Sequence, residues 1–155
     1  MDDGYLPLEA SAGVLDLARL TGGEELLLWR FRRRSWSGKS TGRGGSCVSQ
    51  AEAASTLSVA PTLYWRAEKD RAEARDLEYV LARARFSSGT WTLPSLGELC
   101  RIARRRAGLT LAQASTAVGI SKPLYLRAEA AGDPRVVALW RARGFAFPAS
   151  LVSAA

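Results

Sequence analysis

The sequence predicts an all-α fold made of two tandem copies of one helix-turn-helix unit, and three observations carry that expectation. One is a repeat: Leu63-Tyr64-Trp65-Arg66-Ala67-Glu68 returns 61 residues later as Leu124-Tyr125-Leu126-Arg127-Ala128-Glu129, differing only at Trp65 and Leu126. The second is spacing, since apolar residues recur at helical intervals in one segment after another. The third is punctuation: each copy follows a short helical stretch and a turn centred on a small residue, Ser58 or Gly119.

Residues 1–23 read as an acidic lead with a short helix over 12–20, formed by Val14, Leu15, Leu17 and Ala18 and ended by Gly22-Gly23. The first unit spans 24–86. Its opening helix, 24–34, is acidic at the start and basic at the end, in the sense the helix dipole favours. Leu26, Leu27, Trp29 and Phe31 are expected to face a core, with Arg30, Arg32, Arg33 and Arg34 in water. An inserted loop, 35–48, is rich in glycine and serine and carries Lys39 and Arg43. Its Gly38-Lys39-Ser40-Thr41 is not a phosphate-binding loop, because the earlier glycine that motif needs falls on Arg33 and no apolar strand precedes it.

Ser49 with Glu52 three residues on makes a capping box for a helix over 49–56, and after a turn at 57–60 the next helix starts near Pro61. A helix over 72–85 presents Leu77, Val80, Leu81 and Ala84, and 87–95 is the expected linker. In the second unit, 96–147, helix 96–107 ends at Gly108, Thr110 caps the next helix and Gly119 sits in the tight turn. Ser121 caps the helix that follows, and Asp133-Pro134 opens a last one containing Val136, Val137, Leu139 and Trp140. Residues 148–155 are expected to fray. Trp29, Trp65 and Trp140 read as core, whereas Trp36 and Trp91 flank loops. Two looser echoes extend the repeat: Arg32-Arg33-Arg34 with Arg104-Arg105-Arg106 at an offset of 72, and Leu81–Arg85 with Leu139–Arg143 at 58. The excess of 72 over 61 matches an insertion of about eleven residues in the first copy.

Charge is uneven along the chain. The net value is +7, yet residues 1–25 sum to −5, while 26–48 and 96–155 each carry +6. Clustered cations of this kind point to a polyanionic partner, for which phosphate contacts supply much of the affinity. There is no histidine, and Cys47 and Cys100 are the only cysteines, so a conventional zinc site cannot be assembled and no metal or other cofactor is expected. No nucleophile–base constellation is visible, which argues against an enzyme and leaves no catalytic residue to name. The acidic start and the lack of a long apolar run predict neither signal peptide nor membrane span, and hence a cytoplasmic location.

Residues 108–129, GLTLAQASTAVGISKPLYLRAE, resemble the Cro and lambda-repressor type of helix-turn-helix at Gly108, Leu109, Thr110, Ala114, Val118, Gly119, Ile120, Ser121, Tyr125 and Glu129. The likeness covers 96–145 well and 26–86 in degraded form. It implies a double-stranded DNA reader whose second helix enters the major groove. By the same matching, Lys122, Pro123 and Arg127 face bases, Ser121 and Thr110 lie near phosphates, and Arg104 meets Glu129 to clamp the first helix on the third. In the first copy Arg66 takes the place of Arg127, Pro61 and Thr62 those of Lys122 and Pro123, and Gln50 that of a glutamine that in such families contacts phosphate. That copy is expected either to bind a second half-site or to act as a packing platform. Lys39 and Arg43 either follow phosphates or belong to a solvated loop.

The resemblance implies a transcription regulator acting on promoter or operator DNA, as a monomer on adjacent half-sites or as a homodimer. Glu25-Leu-Leu-Leu-Trp-Arg30 is more distantly similar to activators of alphaproteobacterial gene transfer agents, elements derived from phages. With an acidic N-terminal segment able to meet RNA polymerase or a partner regulator, an activator is favoured over a repressor. The alternative is a protein-interaction module on the same scaffold, such as an antitoxin or co-regulator, using Leu124, Leu126 and Trp65.

Overall fold

The computed structural model describes residues 15–33, 48–88 and 92–152, which are mostly helical; among them extended pairing is limited to a single parallel bridge between Asp16 and Ala146. The chain divides into two compact units, Leu20–Leu93 and Pro94–Ala155, the latter joined by Met1–Arg19. Each is described in turn.

The unit Leu20–Leu93 contains α1 (Gly22–Phe31), α2 (Gln50–Leu57), α3 (Pro61–Glu68) and α4 (Ala74–Ser88). Thr21 starts α1 with a capping box: its Oγ1 accepts from the Glu24 amide at 3.2 Å, and Glu24 Oε1 accepts from the Thr21 amide at 2.9 Å. Gly22-Gly23 therefore opens this helix instead of ending an earlier one. α1 and α2 both pack on α3 and α4, around Leu26, Trp29, Leu57, Tyr64 and Val80. Fully burying a side chain of this size contributes about 1.5–3 kcal/mol. Trp65, expected in the core, is instead 40% exposed. The α3 positions facing inward are Tyr64, Ala67 and Glu68, and Trp65 lies outside that arc. The helix expected at 72–85 extends to Ser88, into the expected linker.

The second unit contains α5 (Leu96–Ala107), α6 (Leu111–Val118), α7 (Lys122–Ala131), α8 (Pro134–Ala142) and a short α9 (Ala149–Val152) within the segment expected to fray. α5 and α6 pack on α7 and α8 over Leu99, Ile102, Tyr125, Val136 and Trp140. Trp140 meets Phe145 edge to face, with ring centroids 6.0 Å apart. Residues 16–19 do not continue the helix expected at 12–20. They run as a strap along this unit: the Leu17 amide donates to the Ala146 carbonyl at 2.9 Å and the Ala146 amide to the Leu15 carbonyl at 2.8 Å. Arg106 holds the strap's far side, its guanidinium donating to the Asp16 and Arg19 carbonyls at 3.0 and 2.6 Å, and Leu17 is fully buried. Residues 15–19 of the acidic lead thus belong with the C-terminal unit, and Leu17 completes its core.

The first helices of the two units carry matched residues. Thr21, Gly23, Glu24 and Arg30 in α1 answer to Ser95, Gly97, Glu98 and Arg104 in α5 at a constant offset of 74, including both halves of a second capping box. A Cβ on Gly23 would run into the Ala67 and Glu68 carbonyls, and one on Gly97 into those of Glu129 and Ala130, so both glycines serve a close approach of first helix to third. This register replaces the offset of 72 drawn from the arginine triplets, and the insertion becomes thirteen residues. In the last helices the inward sets are Val80, Leu81, Ala84 and Val136, Val137, Trp140, an offset of 56 in place of 58.

Candidate nucleic-acid interface

α7 is held from behind by an ion pair. Arg104 Nε and NH2 donate to Glu129 Oε2 and Oε1 at 2.9 and 3.3 Å, with Arg101 Nε a further 4.0 Å from Oε1. The side chains of Glu129 and Arg104 are 4% and 16% exposed, so the contact fixes α7 on α5 more than it adds net stability. One turn before Glu129, Tyr125 is fully buried, and its hydroxyl has no hydrogen-bond partner among the described residues. Burial first and then the Glu129 charge push its pKa up, and the same two causes push the Cys100 thiol up to about 12.

The opposite face of α7 is open to solvent. Gly119, at φ 81°, makes the turn out of α6, and Ser121 Oγ accepts from the Leu124 amide at 3.4 Å to start α7. Thr110 starts α6 with a reciprocal box to Gln113, at 3.1 and 2.9 Å. Both hydroxyls cap through their lone pairs, which leaves each O–H as a donor. Lys122, Pro123, Leu124 and Arg127 are all exposed, and neither Lys122 nor Arg127 pairs with any described residue. α7 therefore presents two unpaired cations, Lys122 in its first turn and Arg127 in its second, and Ser121 and Thr110 each stand at a helix start.

The first unit carries an equivalent lock that the sequence reading missed, since Arg30 was expected in water. Arg30 Nε and NH2 donate to Glu68 Oε2 and Oε1, both at 2.8 Å, and NH1 reaches the Val48 carbonyl at 3.2 Å. Gln50 Nε2 donates to Glu68 Oε1 at 3.1 Å, so this amide serves the internal network. Burial alone would raise the Glu68 carboxyl, but the Arg30 hydrogen bonds and charge, with Gln50 and Tyr64, hold it below the usual carboxylate range. Tyr64 donates to the Leu26 carbonyl at 3.3 Å, and its pKa is pushed up by burial and then by Glu68. The signal that would have found this lock is the Thr/Ser-x-Gly-Glu start shared by α1 and α5.

Thr62 and Arg66 lie exposed on α3, as Pro123 and Arg127 do on α7. α3 itself starts differently. Ala60 supplies no side-chain cap, and Ser58 takes up the left-handed turn at φ 55° that Gly119 makes in the second unit. Lys39 and Arg43 lie outside the described residues. Among the described residues there is no cluster of His, Cys, Asp and Glu able to hold a metal ion, and no helix long and apolar enough to cross a membrane. No family model, curated protein or solved structure matches the chain.

Proposed function

We propose that the protein is a sequence-specific, double-stranded DNA-binding transcription regulator built from two tandem helix-turn-helix units of the lambda-repressor-like type, with α7 as the principal reading helix. The observation that carries this reading is the division of labour around α7: its one acid, Glu129, is buried against Arg104, while Arg127 stands exposed and unpaired on the other side and Lys122 exposed and unpaired at the helix start. A helix anchored from behind and cationic in front suits the major groove, where a guanidinium can make a two-pronged contact to guanine. Lys122 meets a base or phosphate at the helix start, Pro123 sets the first turn, and the Ser121 and Thr110 hydroxyls donate to the backbone. Bacterial regulators of this build work in the cytoplasm on promoter or operator DNA, and the activator sense remains favoured by the acidic N-terminal segment.

The test is enrichment of binding sites from a randomised duplex library. The wild-type chain is expected to recover a motif, and Arg127→Ala to lose preference at one guanine position by about 1–3 kcal/mol. Recovery of an identical motif by R127A removes α7 as the reader. A second reading, a protein-interaction module, has its own observation: Leu124 is 54% exposed on the same face. Leu124→Ser separates the two, because it leaves the phosphate and guanine contacts in place while removing an apolar anchor.

A further inference from the structure

α3 sorts its charges by side. Over residues 61–71 both acids are turned to internal work: Glu68 is 2% exposed and paired with Arg30, while the Asp70 carboxylate accepts from the Thr21 hydroxyl at 2.6 Å and the Gly23 amide at 2.9 Å. The three cations of that stretch, Arg66, Lys69 and Arg71, are all exposed, and none pairs with a described acid. Arg71 lies over the exposed Trp65 ring, its guanidinium carbon 5.7 Å from the centroid. Stacking of this kind orients a guanidinium while leaving its N–H groups to donate. Asp70 is itself exposed, so the stretch presents three cations against one exposed carboxylate, and it keeps the polarity of a polyanion site.

We infer that this face, Thr62, Trp65, Arg66, Lys69 and Arg71, is a second DNA contact that grips the phosphate backbone and leaves sequence reading to α7. The inference rests on the DNA-binding reading above and resolves the role of the first unit in favour of contact over passive packing. Three features argue for phosphate in place of bases. Pro61 occupies the position of the groove-facing Lys122, no side chain caps the start of α3, and two of the three cations lie at or beyond the helix end, at Lys69 and Arg71. Phosphate contacts position a protein on the duplex without carrying sequence information.

The experiment is titration of the full-length chain against a mixed-sequence duplex of about 30 base pairs over a range of salt, where each phosphate contact contributes roughly 0.9 to the slope of log affinity on log salt. R66Q/K69Q/R71Q is expected to reduce that slope by about 2.7, and K69Q alone by about 0.9, while the recovered motif stays that of the wild type. Arg71→Lys keeps the charge and should keep the slope. These positions are exposed, and an unchanged melting temperature verifies the fold of each variant. An unchanged slope in the triple variant, beside a reduced slope in K122Q/R127Q, overturns this inference and leaves the α7 reading intact. A reduced slope in the triple variant alone supports the α3 contact and removes α7. Salt-insensitive or absent binding by the wild type overturns both.

Discussion

Two arginine–glutamate pairs hold the third helix of each unit, and their surroundings predict unequal costs of breaking them. Arg30→Ala leaves Glu68 charged and buried without its two-pronged guanidinium partner, a situation that costs about 3–5 kcal/mol. Arg104→Ala leaves Arg101 at 4.0 Å from Glu129, on the same carboxylate, so its cost should be smaller; denaturant titration of the two variants gives the order. The Glu68 carboxyl also gives the first unit a pH signature. Its folded pKa lies below the ordinary 4.5, so the stabilisation is complete above about pH 4.5 and lost as pH falls through the folded value. Glu68→Gln should flatten the acid limb of the stability–pH curve, and an unchanged limb would assign acid sensitivity to other carboxylates. Sequence reading foresaw the Arg104–Glu129 pair and missed Arg30–Glu68. The reason is local: Arg32-Arg33-Arg34 imitates Arg104-Arg105-Arg106 so closely that the wrong arginine was aligned.

At the scale of elements, starts were more legible than ends or registers. Ser49, Thr110, Ser121 and Asp133 all cap where their side chains suggest, because a capping oxygen acts on amides two or three residues away. The start of α1 was misread because Gly22-Gly23 has the look of a terminator, whereas Gly23 is small for the sake of the Ala67 and Glu68 carbonyls, a long-range cause that local pattern does not encode. Trp65 was assigned to the core on its helical spacing amid leucines, though its neighbours Tyr64 and Ala67 already fill the inward arc of α3. The turns between second and third helices offer a test of local strain. Ser58 holds a left-handed conformation at φ 55° that Gly119 makes at little cost. Ser58→Gly should therefore stabilise the first unit by about 0.5–1 kcal/mol, the relief of strain exceeding the added freedom of the unfolded chain. A lower melting temperature for S58G would show that the serine side chain contributes contacts of its own.

Across the whole molecule, one unit interrupts the other along the chain. Leu20–Leu93 lies between two pieces of the other unit, and Leu17 belongs to the far one. A chain beginning at Leu20 should lose Leu17 burial, the bridge to Ala146 and both Arg106 contacts, lowering the stability of α5–α9 by about 2 kcal/mol, or ~10 °C in melting temperature for a unit of this size. The transition of Leu20–Leu93 serves as the internal reference and should not move. Apolar residues at 15 and 17 are two apart, a spacing that belongs to extended chain, but with Val14 and Ala18 beside them they pass for a helix turn. Nothing in the first twenty residues announces a partner more than a hundred positions away.

That strap bears on how the protein is made. Domains emerging from the ribosome complete themselves in order, N-terminal first. Here Leu17 is synthesised more than a hundred residues ahead of Ala146, whose backbone it pairs with. The four helices of Leu20–Leu93 can settle while Leu17 waits unmated, so the other unit gains its strap only once Ala146 has been made.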